Sequence, residues 1–262
     1  MIFAIRSSAA PLYAEPDERS AQVDEVLHGM AVSVEAEEGE WLNVCTTYHY
    51  RGWINRTHLC LLSTCTQFGH NLMQYTTATT ADVLTAPKVQ APLLICLPLG
   101  CTVCVIGEDV SGWTQIVLAD NRNGYIRSDF LASFPKEADR EALCQTARLY
   151  LGTQYRWGGK TSLGIDCSGL CFMAYWLNGV NIYRDARIEP GFPIKEISPA
   201  EAQKGDLLFF PGHVGMLLDT DTMIHSSEAN NGVKIDTLTP DWMDRITAAG
   251  SIFNTESHKI IR

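Results

Sequence analysis

The sequence predicts a multidomain chain: two small all-β barrels followed by an α+β domain. Three observations predict it. The first half repeats on itself when slid by 72 residues. The composition changes after Phe134, where Ser133-Phe134-Pro135-Lys136 reads as a linker because proline limits continuation of regular structure. Beyond it, helical periodicity comes first and strand periodicity second, the grammar of an α+β domain.

In the repeat, Trp41 falls on Trp113, Gly52 on Gly124, Trp53 on Tyr125, Ile54 on Ile126 and Leu59 on Leu131, and a one-residue gap brings Gly29 onto Gly100. Each copy has an apolar strand after a glycine turn, a short strand led by tryptophan, a polar turn and a Gly-aromatic-Ile strand. Short strands with Gly and Asn/Asp turns at close spacing build small barrels. This sets domains at 1–62, 63–134 and 135–262. In the last of these, Leu143, Ala147, Tyr150 and Leu151 form one helical stripe stopped at Gly152. A glycine-rich loop follows, then a second helix from Cys167 to Asn178 with a stripe of Leu170, Ala174 and Leu177. After residue 204 come three strands, GDLLFF, HVGMLLD and TMIHSSE.

Charge and composition exclude several classes. The 262 residues carry 20 basic and 30 acidic side chains, a net charge of −10 that is spread over both halves. A nucleic-acid or anionic-surface partner needs a basic face that this balance does not supply. No run of about 20 apolar residues offers a spanning helix. The opening residues lack a basic start followed by an apolar run, so a cytoplasmic location is expected. Nine scattered cysteines do not make a disulfide framework and fit a reducing compartment.

The chemistry concentrates in three places. Cys167 follows Asp166 at the start of a helix, where free N–H groups and the positive end of the helix dipole favour a thiolate. His213 opens a strand, and His225 closes the return strand of a hairpin turning at Asp219-Thr220-Asp221. A turn centred at 219 or one residue later puts the two rings opposite or diagonal on one face, with Cβ atoms about 5 to 8 Å apart. A nucleophilic cysteine requires such a base, oriented by a second polar group. The same three residues could bind zinc by type, but they lack a close-spaced ligand pair, so no metal or other cofactor is expected. Cys101-x-x-Cys104 has no second pair and lies on a strand with Val103 and Val105, so it reads as core. Trp41, Trp53 and Trp113 recur with the repeat and read as barrel core. Trp157-Gly158-Gly159 lacks the spacing of a phosphate loop.

The runs YRWGGKTSLGIDCSGLCFMAYWL (155–177), KGDLLFFPGHVGMLL (204–218) and MIHSS (223–227) resemble the NlpC/P60 family of papain-like cysteine peptidases over roughly the last 120 residues. The N-terminal repeat resembles bacterial SH3 domains, and two of these before an NlpC/P60 domain resemble γ-D-glutamyl-L-diamino acid endopeptidases that trim cell-wall peptides. The resemblance implies that Cys167 is the nucleophile, His213 the base and later the acid, and His225 the residue that orients His213. It implies attack on the γ-carbonyl of D-Glu, with the Cys167 backbone N–H and Tyr155 serving the oxyanion. It places Asp166, Ser168, Arg184 and Asp185 near a free L-Ala amine, with Ala186 departing from an Arg-Asp-Ser pattern. Glu15 and Tyr50 fall where similar enzymes reach the active site from the first barrel. Murein peptides such as L-Ala-γ-D-Glu-diaminopimelate are the expected partners. The alternatives are a secreted hydrolase or amidase acting on intact wall, and an inert wall-binding module.

Overall fold

The computed structural model describes residues 1–62, 73–107 and 110–253. The expected boundary at 62/63 runs into residues outside that set, as does Cys65. The chain divides into two compact units: residues 1–134 together with Trp157–Ser162, and residues 135–156 together with 163–262.

The first unit holds two seven-stranded sheets. One comprises β1 (Ile2–Ile5), β2 (Ala9–Tyr13), β3 (Gln22–Leu27), β4 (Ala31–Glu38), β5 (Trp41–Thr46), β6 (Arg51–Asn55) and β7 (Leu59–Leu61). The other comprises β8 (Met73–Thr76), β9 (Thr80–Leu84), β10 (Leu93–Pro98), β11 (Thr102–Val105), β12 (Trp113–Val117), β13 (Asn123–Arg127) and β14 (Leu131–Ala132). The strand orders, β3-β2-β6-β5-β4-β1-β7 and β10-β9-β13-β12-β11-β8-β14, are one order repeated.

The sequence repeat is therefore a structural repeat, and its glycines say why. Gly29 and Gly100 both adopt left-handed backbone, φ +81° and +90°, which side chains resist. A Cβ at Gly52 would lie 2.8 Å from the Leu12 Cβ, and one at Gly124 would lie 2.4 Å from Val83 Cγ1. Cys101 and Cys104 are buried and Trp113 is core, while Trp41 and Trp53 are half-buried. The two barrels meet through His28, whose Nε2 accepts from the Ala119 N–H at 3.1 Å and whose backbone oxygen accepts from the Thr102 N–H at 2.9 Å.

The segment Trp157–Ser162, which contains β15 (Lys160–Thr161), also belongs to this unit. Lys160 is fully buried. Its Nζ donates to Asp24 Oδ2 at 3.0 Å and to the Tyr48 hydroxyl at 2.6 Å, and that hydroxyl donates to Asp24 Oδ2 at 2.6 Å. The Lys160 backbone N–H donates to Glu25 Oε2 at 2.8 Å. Buried charges persist only when paired and hydrogen-bonded in this way.

The second unit is an antiparallel sheet with helices. After α1 (Arg140–Arg148), capped by Asp139, come β16 (Gly164–Ile165) and α2 (Cys167–Trp176). Then come β17 (Lys195–Ile197), β18 (Leu207–Phe210), β19 (His213–Leu217), β20 (Thr222–Ser227), β21 (Gly232–Thr237), α3 (Pro240–Met243) and β22 (Ala248–Ser251). The sheet order is β17-β22-β18-β19-β20-β21.

Two expectations change here. Leu151 is exposed, because α1 ends at Arg148 and the chain turns through Gly152 at φ +81° before the stripe reaches it. And α2 has no single apolar stripe: every residue from Cys167 to Tyr175 is buried. It is a central helix, hydrophobic all round, as a helix covered on every side must be. No helix among the described residues is long and apolar enough to cross a membrane.

Candidate active site

Cys167 is the first residue of α2 because Asp166 ends the extended approach and caps the helix. Asp166 accepts the Gly169 backbone N–H at 2.6 Å, satisfying a donor that the first turn leaves open. Arg184, 1 % exposed, fixes that cap. Its guanidinium donates to Asp166 Oδ1 at 3.0 Å and Oδ2 at 2.9 Å, and to Ser168 Oγ at 2.8 Å. This two-pronged pairing is the geometry a planar guanidinium favours. Asp166, Ser168 and Arg184, three of the residues expected near a substrate amine, thus form one buried cluster beside Cys167.

The approach to Cys167 is pinned from both sides. Ile165 exchanges backbone hydrogen bonds with Gln154 and Arg156, and Ser226 Oγ donates to the Ile165 carbonyl at 2.7 Å, tying the approach to β20. The same exchange brings Tyr155 beside the cysteine. Burial, with Cys167 and Asp166 nearby, pushes the Tyr155 phenol up to about 12, so its hydroxyl remains a donor.

The thiol accepts hydrogen bonds from the backbone of Val214 and of Ser168, so the start of β19 lies against it. Burial, reinforced by the neighbouring Asp166 carboxylate, raises the Cys167 pKa, and those two N–H groups oppose the rise. His213 opens β19. Its Nε2 lies 2.8 Å from His225 Nδ1 across the β19–β20 hairpin. Met216 pairs with Ile224 and Leu217 with Met223, so the hairpin is centred one residue beyond Asp219 and the two histidines are diagonal neighbours.

Phe210 and Trp242 wall the imidazoles, with Trp242 packing edge-on to the His225 ring at 5.3 Å. Desolvation by those walls, with smaller contributions from the neighbouring His225 and Arg245, lowers the His213 pKa to about 4. Both shifts favour a resting pair of neutral thiol and neutral imidazole. An unprotonated imidazole is the form able to accept a proton.

Two residues escaped the sequence. His225 Nε2 lies 3.0 Å from Asp236 Oδ2, and Asn230 Nδ2 donates to the same oxygen at 3.0 Å. The hydrogen-bonded line therefore runs His213, His225, Asp236. A signal for Asp236 exists: Asn230-Asn231-Gly232 turns the chain, and His225 pairs with Lys234, which puts Asp236 diagonal to His225. The arithmetic is the one that joined His213 to His225.

Beside the cysteine, a narrow pocket is lined by Ser168, Asp185, Arg187 and Glu189 with apolar walls from Phe192 and Val214. Arg187 Nε donates to Glu189 Oε2 at 2.8 Å and its NH2 group to the Tyr183 hydroxyl at 2.8 Å. Asp185, half-buried, presents a carboxylate at this pocket. Glu15 and Tyr50 lie in the first unit. Glu15 is exposed on the turn after β2, where its carbonyl accepts from Ser20 Oγ at 3.2 Å. Tyr50 is half-buried in the turn just before β6, its N–H donating to Thr46 Oγ1 at 3.0 Å.

Comparison with known proteins identifies the family. The NlpC/P60 family model matches residues 152–251, and the bacterial dipeptidyl-peptidase SH3 domain model matches residues 12–59. Dipeptidyl-peptidase 6 of Lysinibacillus sphaericus is 44 % identical over 93 % of this chain and 97 % of its own length. The chain belongs to the NlpC/P60 family. This NlpC/P60 chain is a cysteine peptidase with an SH3-like N-terminal region. It is also 27 % identical, over 82 % of this chain and 75 % of the relative, to a γ-D-glutamyl-L-lysine dipeptidyl-peptidase of Bacillus subtilis. An NlpC/P60 family protein from Bacillus cereus shares its fold, with a TM-score of 0.83 at 22 % identity, covering 95 % of this chain and 98 % of the other.

Proposed function

We propose that this peptidase hydrolyses the bond between γ-D-Glu and a diamino acid in free peptidoglycan peptides with an unblocked N-terminal L-Ala, in the cytoplasm, as a step of murein peptide recycling. The observation that carries the reading is the Cys167, His213 and His225 set beside a pocket that presents the Asp185 carboxylate. The similarity to dipeptidyl-peptidases, one of them named for γ-D-glutamyl-L-lysine, supports the bond and the exopeptidic register.

In the proposed reaction Cys167 passes its proton to His213 and attacks the γ-carbonyl. The Cys167 backbone N–H and the Tyr155 hydroxyl receive the developing oxyanion. His213 then protonates the leaving amine of the diamino acid, and water, activated by His213, hydrolyses the thioester. Asp185 pairs with the substrate ammonium. With Ala at 186 that part of the site has one hydroxyl fewer to offer.

Mass spectrometry of L-Ala-γ-D-Glu-meso-diaminopimelate and its N-acetylated form, with wild type and Cys167→Ala, tests this. Release of L-Ala-D-Glu from the free-amine peptide alone, and only with Cys167, is the expected result. Equal cleavage of the acetylated peptide would overturn amine recognition and favour wall remodelling. No cleavage of either in reducing buffer would overturn the substrate.

A further inference from the structure

Asp236 is the one group in the hydrogen-bonded line whose role in hydrogen bonding is fixed by its chemistry. An ionised carboxylate only accepts, so the 3.0 Å contact with His225 Nε2 puts the hydrogen on that nitrogen. A neutral imidazole has one N–H, which leaves His225 Nδ1 as an acceptor. The 2.8 Å contact between His225 Nδ1 and His213 Nε2 then takes its hydrogen from His213. His213 in turn has a bare Nδ1, the nitrogen that the proposed reaction needs for the Cys167 proton. One carboxylate on β21 thus sets the hydrogen placement of two rings. Asn230 holds that carboxylate by donating to Oδ2 at 3.0 Å, and the Asn230 and His225 contacts keep Asp236 ionised.

The same line carries charge. When the Cys167 proton moves to His213 Nδ1, the S–H electron pair stays on sulfur and a cation forms between aromatic walls. The groups around that cation are the Cys167 thiolate and Asp166 from α2 and its cap, His225 on β20, Asp236 and Lys234 on β21, and Arg245 after α3. Arg245 opposes the cation, and Asp236 is the anion the relay reaches. Resting on the peptidase reading above, we infer that Asp236 is a positioning residue. Acting through His225, it presents the unprotonated Nδ1 of His213 to the cysteine and counters the imidazolium that forms during attack.

The test compares wild type, Asp236→Asn and Asp236→Glu as full chains. Carboxylates that orient a metal-bound histidine are worth about 10–100-fold, and the same scale is expected where the histidine they orient is a base. Asp236→Asn is therefore expected to lower kcat about 10–100-fold with KM changed less than about twofold. Asp236→Glu should restore most of that loss. Iodoacetamide labelling localised to Cys167 by peptide mass spectrometry reads the thiol without any substrate. In Asp236→Asn its pH profile should move up by about one unit, rejoining the wild-type rate at high pH, where the thiolate forms unaided. Nitrogen-15 imidazole spectra of the wild type should show His213 protonated on Nε2. Turnover and labelling in Asp236→Asn within about twofold of wild type would overturn the inference, as would a wild-type His213 protonated on Nδ1. If Asp236→Asn fails to fold, the wild-type tautomer and the Asp236→Glu profile decide. If wild type leaves the peptide intact, the substrate reading has failed, while labelling and tautomer still judge Asp236.

Discussion

Acid should weaken the second unit through one ring. His213 has an ordinary pKa of 6.5 and is held at about 4 in the fold. A depressed folded pKa means that its contribution to stability is fully present above 6.5 and is lost as pH falls through about 4. The whole shift corresponds to about 3.4 kcal/mol at 1.36 kcal/mol per unit. Proton linkage at a single site removes about 2 kcal/mol of this by pH 5 and about 3 kcal/mol by pH 4. Set against a typical domain stability of about 5–15 kcal/mol, that is a measurable fraction. The perturbation is His213→Gln, which keeps polar bulk and removes the titration. Urea unfolding of both proteins at pH 7, 5 and 4, followed by the near-ultraviolet signal of Trp242 and its neighbours, isolates the difference, because every other titrating group is common to both. Wild type should lose about 3 kcal/mol more than the variant between pH 7 and pH 4. Parallel losses would refute the argument and would mean that the aromatic walls do not desolvate the ring as the packing implies.

Two further predictions concern buried charge. Arg184→Met leaves Asp166 and Ser168 buried without their guanidinium, and should cost about 3–5 kcal/mol in chemical denaturation and slow Cys167 alkylation at neutral pH. Lys160→Met strands Asp24 in the first unit and should cost a similar ~3–5 kcal/mol, much of which Lys160→Met combined with Asp24→Asn should recover, as a double-mutant cycle by thermal melting would reveal.

The candidate site residues Cys167, His213 and His225 were legible because each sits in a local pattern. Asp-Cys-Ser-Gly opens a helix, and the two histidines straddle a turn whose centre can be read to within one residue. The repeat was legible because Gly52 and Gly124 answer to the same clash, and no other residue type fits there. Arg184 was legible as a neighbour of the site, but its commitment to the Asp166 cap was not, since it depends on how the loop after α2 folds back. The buried helix α2 was misread as one-sided because its small residues at intervening positions look neutral until both faces are covered. Asp236 needed the register of a second hairpin. The pairing of Lys160 with Asp24 spans 136 residues and has no local signature at all.

That last pairing has a consequence for the order in which the protein is made. Asp24 leaves the ribosome long before Lys160 does, and the two are 136 residues apart. At about 5–20 residues per second, roughly 7 to 27 s separate their synthesis. The barrel sequence is complete only at residue 134, so for the last 26 residues of that interval, about 1 to 5 s, both barrels are made but lack the cation that the buried Asp24 carboxylate requires. Folding of the first unit can finish only once the nascent chain has entered the peptidase sequence and delivered residues 157–162, a few residues before Cys167 is made.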